Sequence, residues 1–424
     1  MRVLVRLTVL CAIVAAAFFA YAWRSEIVAV APVDRKAFDA VTVQKGAELA
    51  ALGNCISCHT KPGGEPYAGG RAIDTPFGRI YATNITPDPA TGIGRWSEPA
   101  FVRAVREGVS RDGHHLYPAF PYDHMTRMSE ADVKAAYAFV MSRQAVAAAT
   151  PANDLKFPYN IRMLVAGWKL AFFDRGEFKS DGSRSIEWNR GAYLVEGLAH
   201  CGACHTPRNG LGAEDRSNAY GGGETGGWTA PALNAASPAA VPWTAERLHD
   251  YLRNGASPLH GVAAGPMAPV VQNLRTVADV DLKAIATYVA ALAGTPGKER
   301  MEQADKLLAR AKGAAGARSA GPNAGGTIYA GACAQCHGEA GRAPLSPALN
   351  LSLSSAVRGK DPNNLIRVVV DGLTRPDNTA GPVMPGFGAV LTDKQLADLV
   401  DYLRASFTDR PAFAGVDTVV RAAR

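Results

Sequence analysis

The chain has 424 residues, and 45 Lys or Arg against 38 Asp or Glu leave a formal net charge of +7 at pH 7. This length is too great for one ordinary domain and predicts about three. A hydrophobic content of 47% excludes a disordered chain. The positive charge fits an acidic partner protein or an anionic membrane surface. Because no basic run is interleaved with aromatic residues, we expect no nucleic acid as a partner.

Residues 1–30 are predicted to direct the chain out of the cytoplasm. An uncharged, apolar stretch runs from Leu7 to Trp23 and is close to the shortest length that spans a bilayer. Ala20-Tyr21-Ala22 resembles a signal-peptide cleavage site, yet the apolar run is longer than that of a usual signal peptide. Both a cleaved signal segment and a transmembrane anchor therefore fit, and we favour the anchor.

The six cysteines beyond this segment form three C-x-x-C-H motifs. They are Cys55 and Cys58 with His59, Cys201 and Cys204 with His205, and Cys333 and Cys336 with His337. This pattern is typical of c-type haem attachment, in which both thiols bind the porphyrin and the adjacent imidazole reaches the iron. Zinc ribbons need two C-x-x-C pairs within about 15–20 residues, whereas these pairs lie more than a hundred residues apart. The sequence predicts three haem c groups with the three histidines as proximal iron ligands.

The same order of elements is predicted around each motif. A glycine-containing helix, able to cross another helix closely, precedes each motif, beginning at Gly46, Gly191 and Gly326. A middle helix follows in each repeat, over Ser97–Gly108, Thr244–Gly255 and about Asp361–Gly372, with Ser97 and Thr244 as N-caps and the glycines as C-terminal stops. An amphipathic closing helix then begins near Ser129, Val277 and Thr392, where Thr392 and Gln395 form a capping-box pattern.

This order resembles class I cytochrome c, which implies an all-α fold of three tandem domains after the N-terminal segment. The predicted domains are 38–148, 186–296 and 323–410. A connector with an amphipathic helix spans 149–185 and is expected to pack between domains, with partner docking and membrane binding as alternatives. Residues 297–322 are predicted to be a solvated linker around a short helix.

The sixth ligand of each iron is predicted from the loop before the closing helix. Met384 and Met267 lie in Gly/Pro-rich segments there, and methionine is a common sixth ligand of haem electron carriers. In the first repeat the comparable position is Phe120, which cannot bind iron. His124 is preferred there, with Met128 and Met125 as alternatives and an open site as a further one.

Other residues near the motifs have less specific interpretations. His249 and His260 are expected to be surface or structural histidines, and His114 and His115 to be exposed loop histidines. The three prolines Pro62, Pro207 and Pro344 follow the motif histidines and are expected to offer carbonyls to their ring nitrogens.

Four further segments carry a family resemblance: Thr83–Asp88, Gly92–Ser97, Leu116–Tyr122 and His200–Arg208. With the three motifs, they make the chain resemble the triple-haem cytochrome c subunit of membrane-bound bacterial dehydrogenases. That family includes the alcohol, gluconate and sorbitol dehydrogenase type and the related subunit of nicotinate, isoquinoline and aldehyde molybdenum hydroxylases.

The resemblance implies a subunit on the periplasmic side of the bacterial cytoplasmic membrane that does no substrate chemistry itself. It would take electrons from a catalytic subunit, which is a molybdenum hydroxylase, quinoprotein or flavoprotein, and pass them to ubiquinone or a terminal oxidase. Phe120, where alcohol- and gluconate-type members usually carry methionine, favours the molybdenum hydroxylase branch. The alternative is a multihaem enzyme, peroxidase-like or a sulfur-compound dehydrogenase, that uses the first haem.

Overall fold

The computed structural model describes residues 1–312, 323–339, 342–373 and 384–424. The end of the predicted linker, 313–322, and the loop residues just before Met384 lie outside these ranges. Within them the chain is mostly helical and divides into two compact units. Unit 1 comprises Met1–Gly182 with Tyr193–His200, and unit 2 comprises Ser183–Ala192 with Cys201–Arg424. The prediction of an all-α fold is confirmed only in part: the chain is mostly helical, but short antiparallel strands accompany the helices.

Unit 1 holds the first motif in a helical framework with one small sheet. Its helices are α1 (Arg2–Ala22), α2 (Ala40–Leu52), α3 (Cys55–Cys58), α4 (Glu98–Glu107), α5 (Tyr122–Met125), α6 (Glu130–Met141) and α7 (Val165–Phe172). Its strands β1 (Ala72–Thr75), β2 (Gly78–Tyr81) and β3 (Asp154–Leu155) pair antiparallel in that order. The unit includes a π-helical segment, Leu194–Leu198.

Unit 2 holds the other two motifs. Its helices are α8 (Ile186–Tyr193, whose last residue falls in unit 1), α9 (Gly202–His205), α10 (Ala245–Asn254), α11 (Met267–Leu274), α12 (Asp279–Ala293), α13 (Lys298–Lys312), α14 (Ala324–Ala332), α15 (Ala334–His337), α16 (Ser355–Arg358), α17 (Asn363–Asp371), α18 (Asp393–Phe407) and α19 (Val416–Ala422). Among its described residues, two hairpins form, β4 (Gly223–Thr225) with β5 (Trp228–Ala230) and β6 (Ala256–Ser257) with β7 (Gly261–Val262).

A glycine lies at the crossing of the first and closing helices in all three repeats. A Cβ added to Gly46, Gly191 or Gly325 would lie 2.0, 2.0 or 2.1 Å from a backbone oxygen of α6, α12 or α18. No side chain fits such a gap, so glycine is what lets the two helices touch. The close crossing was predicted, but the third contact is made by Gly325 rather than by its neighbour Gly326.

The predicted helix ends are largely confirmed. Helices α4 and α10 stop at Gly108 and Gly255, whose φ angles of +62° and +77° suit glycine. Thr244 Oγ1 accepts a hydrogen bond from the Arg247 amide, and Thr392 forms the capping box with Gln395. Ser97 precedes α4 as predicted but makes no side-chain capping bond.

Helix α1 is the element that could cross a membrane. It has 21 residues and a mean hydropathy of 2.5, and among the described residues it alone passes the length and apolarity criteria for a span. At 1.5 Å per residue it is about 30 Å long, which matches the hydrocarbon core of a bilayer. A transmembrane anchor and a signal segment both satisfy these criteria.

Helix α7 of the connector is fastened to unit 1 by a buried lysine. Lys169 Nζ donates to the carbonyls of Glu107 and Gly108, both at 2.7 Å, and lies 3.1 Å from His115 Nδ1. The other ring nitrogen of His115, Nε2, donates to the Ala22 carbonyl at 2.8 Å. Burial lowers the pKa of Lys169 to about 7. This chain of hydrogen bonds ties α7 and the end of α1 to the C-terminus of α4.

Two glycines of α14 allow a direct test of the close crossing. We expect Gly325→Ala to destabilise the folded protein by about 1–3 kcal/mol, because its methyl group would overlap the Asp398 carbonyl. Gly331 is in the same helix and has no atom within 4 Å of an added Cβ, so Gly331→Ala should be neutral or stabilising by up to about 1 kcal/mol. Chemical denaturation of the two full-length variants measures both, and equal midpoints would refute the crossing.

Candidate haem-binding sites

Each C-x-x-C-H motif forms one helical turn. The amides of His59, His205 and His337 donate to the carbonyls of Cys55, Cys201 and Cys333, each at 3.0 Å. Such a turn places two thiols and the following imidazole on one short, rigid segment. No disulfide joins the seven cysteines, all of which lie in the described ranges. The turn is thus able to present both sulfurs to a single ligand.

A backbone carbonyl from a distant loop holds each motif imidazole. His59 Nδ1 lies 2.7 Å from the Thr83 oxygen, His205 Nδ1 2.7 Å from that of Pro231, and His337 Nδ1 2.9 Å from that of Leu349. When Nδ1 donates this bond, Nε2 is the nitrogen that can bind a metal. The expectation that Pro62, Pro207 and Pro344 supply these carbonyls was wrong, because longer loops bring the acceptors back.

A buried asparagine follows the acceptor carbonyl in the first site. Asn84 is 2% exposed, and its Oδ1 accepts from the amide and hydroxyl of Thr86 at 2.9 and 2.7 Å. Its Nδ2 donates to Thr91 Oγ1 at 3.1 Å and to the Val146 carbonyl at 2.8 Å. In the third site Asn350 similarly accepts from Ser352. These bonds fix the loop that positions the Thr83 carbonyl.

Burial sets the protonation of the motif side chains. It lowers the pKa of His59, His205 and His337, so these imidazoles are neutral near pH 7, the form that binds metals. It raises the pKa of Cys55 to about 12, with a further contribution from Cys58, and that of Cys333 to about 11. The Cys55 and Cys333 thiols are therefore protonated at neutral pH and react slowly with oxidants.

The two methionines predicted as sixth ligands lie between the middle and closing helices of their repeats. Met267 is the first residue of α11 and is half-buried. Met384 is also half-buried, its carbonyl accepts from the Leu373 amide at 2.9 Å, and it packs against the core that contains Tyr329.

The predicted residues of the first repeat lie in and beside α5. His124 Nδ1 lies 3.0 Å from the Glu196 carbonyl. Met125 and Met128 are 6% and 1% exposed, whereas Phe120 is half-buried, as Met267 and Met384 are.

His115, His249 and His260 make structural contacts, whereas His114 is exposed. His260 stacks on Trp243 with ring centroids 3.4 Å apart and forms hydrogen bonds with Ser257 and the Val241 carbonyl. His249 forms a hydrogen bond with Asp279 at 2.7 Å. The structural interpretation of both histidines is therefore confirmed. His114 is exposed as expected. The expectation for His115 was wrong: it is 4% exposed, because α1 and α7 cover it.

Comparison with known proteins identifies the family. The cytochrome c family model matches residues 43–144, and the model "Cytochrome C oxidase, cbb3-type, subunit III" matches residues 320–403. The fructose dehydrogenase cytochrome subunit of Gluconobacter japonicus is 35% identical over 89% of this chain and 82% of its own length. The gluconate 2-dehydrogenase cytochrome c subunit of Pantoea cypripedii is 37% identical over 88% of this chain and 87% of its own. The chain belongs to the cytochrome c subunits of bacterial dehydrogenases.

A third relative is matched over only part of its length. A nicotinate dehydrogenase subunit of Pseudomonas putida is 46% identical over 93% of this chain, but the chain spans only 33% of that protein. Membership in this family of cytochrome c subunits confirms the predicted resemblance. It implies haem c as the cofactor and electron transfer beside a catalytic dehydrogenase as the role.

The contribution of Asn84 to the stability of this cytochrome subunit can be tested by substitution. Asn84→Ala should lower the free energy of unfolding by at least about 2 kcal/mol, since each buried group left without a partner costs about 1–3 kcal/mol. Asn209 accepts two amide bonds in an exposed turn, and Asn209→Ala should cost less than about 1 kcal/mol. Thermal denaturation of both variants makes the comparison, and an Asn84→Ala protein as stable as the control would contradict the loop's role.

Proposed function

We propose that this chain is an electron-transfer subunit with three covalent c-type haems, one in each of three tandem class I cytochrome c domains, 38–148, 186–296 and 323–410. The connector 149–185 and the linker 297–322 join them. One observation carries the proposal: the same turn of paired cysteines, followed by an imidazole held through Nδ1, occurs three times.

The residues at each motif fit a c-type haem. Two thiols on one turn are the donors needed for two thioether bonds, and a neutral imidazole with Nδ1 engaged is the donor needed for iron. We assign Cys55, Cys58, Cys201, Cys204, Cys333 and Cys336 to attachment and His59, His205 and His337 to the proximal side. Met267 and Met384 complete the second and third sites. A bound haem supplies one-electron oxidation and reduction.

The electrons come from a catalytic dehydrogenase and leave to ubiquinone or a terminal oxidase. Identity is higher to a nicotinate dehydrogenase subunit, at 46%, than to the fructose and gluconate dehydrogenase subunits, at 35% and 37%. This difference and Phe120 favour a partner that oxidises an N-heterocycle, of the molybdenum hydroxylase kind, over a quinoprotein or flavoprotein. The net charge of +7 suits docking to an acidic partner.

We propose further that α1 is an uncleaved anchor which holds the haem domains on the periplasmic side of the membrane. Cleavage after Ala22 would separate α1 from the chain and remove the carbonyl that accepts from His115. Ala22 is 3% exposed, and His115 and Lys169 beneath it are buried as well. Cleavage would therefore remove both this hydrogen bond and the α1 residue that covers His115, so the buried contact between α1 and His115 needs the uncleaved chain.

The anchor is tested by fractionation. We expect the full-length protein to stay in the membrane after an alkaline carbonate wash and its intact mass to include α1. A soluble periplasmic protein that begins just after Ala22 would contradict the anchor but not the electron-transfer function.

Electron transfer is tested with the purified full-length protein and a short-chain ubiquinone in detergent. The protein is reduced anaerobically with dithionite and the excess dithionite is removed. Ubiquinone should then reoxidise the haems within seconds, seen as loss of their α-band absorbance. Replacing Cys333 and Cys336 by alanine removes one attachment site and should slow or prevent complete reoxidation. Cys11→Ala, which changes a cysteine outside the motifs, should behave like the parent.

A second acceptor, tested on the same reduced protein, serves as the control for ubiquinone. Oxidised soluble cytochrome c, added in place of ubiquinone, stands for a protein acceptor on the way to a terminal oxidase. Haems that neither acceptor reoxidises would contradict the electron-transfer function.

A further inference from the structure

The loop that leads to the sixth ligand has the same hydrogen-bond register in the first two repeats. Each middle helix ends at a left-handed glycine whose carbonyl accepts a later amide: Gly108 from Leu116 at 2.7 Å, and Gly255 from Ala263 at 2.8 Å. The residue after each glycine also pairs antiparallel across the loop, in the bridge from Val109 to His115 and in β6 with β7. The two loops can therefore be compared residue by residue from these paired amides as far as Phe120 and Met267.

When the two loops are aligned on these paired amides, Phe120 occupies the position that corresponds to Met267. Phe120 stands four residues after Leu116, and Met267 four residues after Ala263. The Phe120 amide donates to the carbonyl of Tyr117, three residues earlier, at 3.0 Å. The Met267 amide donates to the carbonyl of Ala264, also three residues earlier, at 3.2 Å. Both side chains are half-buried. The position that supplies a thioether in the second repeat supplies a phenyl ring in the first.

The two methionines of the first repeat match core aliphatics of the second. Counted back from the closing helices, whose N-caps are Ser129 and Ala278, Met125 and Met128 correspond to Leu274 and Val277. The same bond supports the register, because the Met128 amide donates to the Met125 carbonyl at 3.0 Å and the Val277 amide to the Leu274 carbonyl at 3.2 Å. All four are at most 6% exposed. Met125 and Met128 are thus packing residues.

The register counted back from the closing helices pairs His124 with Asn273. It differs by two residues from the register of the loop, because Phe120 is two residues before Tyr122 whereas Met267 is four residues before Val271. Thr126 follows α5, and its amide is directed at the carbonyls of His124 and Tyr122. Arg275 follows α11, and its amide is directed at the carbonyls of Asn273 and Val271. Tyr122 and Val271 each pack against the glycine that ends the middle helix. His124 lies two residues beyond this contact, and its Nδ1 bonds the Glu196 carbonyl of the π-helical segment.

We propose that Phe120 stands at the sixth coordination position of the first haem and leaves that iron without a sixth ligand from the protein. The position is then a binding site for small exogenous ligands, namely carbon monoxide on ferrous iron and cyanide on ferric iron. A phenyl ring has no lone pair to donate, whereas the thioether of Met267 has one. This inference rests on the proposed haem attachment at Cys55, Cys58 and His59.

Carbon monoxide titration of the full-length, dithionite-reduced protein tests the inference. We expect about one carbon monoxide per chain, seen as a Soret shift in about a third of the haem. Phe120→Met should restore a sixth ligand and reduce carbon monoxide binding at least tenfold. His124→Ala, the matched control, should leave the stoichiometry unchanged, because His124 does not bind the iron.

Two results would overturn the inference. The first is a native reduced protein that carries three haems by pyridine haemochromogen assay yet binds no carbon monoxide. The second is a His124→Ala protein that gains a carbon monoxide site, which would identify His124 as the ligand. A haem content other than three per chain would instead count against the proposed function, so the two failures are distinguishable.

Discussion

The hydrogen bond from each motif histidine to a backbone carbonyl is the contact on which each site depends. The acceptor lies 24 residues after His59, 26 after His205 and 12 after His337. Each bond restrains rotation of the imidazole and leaves Nε2 as the ring nitrogen that is able to bind a metal. Without it the paired cysteines could still react, but the ring beside them would have no fixed direction.

The rest of each repeat supports that loop. The close crossing at Gly46, Gly191 and Gly325 brings the first and closing helices together, with the motif at the end of the first helix. The middle helices α4 and α10 end at the left-handed glycines Gly108 and Gly255, which turn the chain into the loop that follows. A repeated scaffold of this kind tolerates different loop residues, and so one framework can present a thioether at Met267 and a phenyl ring at Phe120.

Local sequence signals predicted much of this framework. The C-x-x-C-H turns, the glycine stops of α4 and α10 and the capping box at Thr392 each depend on residues within one or two helical turns, so their patterns are visible in the sequence. The acceptor carbonyls, the burial of His115 under Ala22 and Lys169 and the choice of Gly325 over Gly326 depend on contacts between distant segments. The short strands were missed because two to four residues carry no readable alternation.

The most direct test of the account is the intact mass of the purified protein together with haem staining after denaturation. Three covalently bound haems predict a mass above that of the polypeptide by three haem groups and a stained band that survives denaturation. A polypeptide mass with no addition and an unstained band would contradict the account.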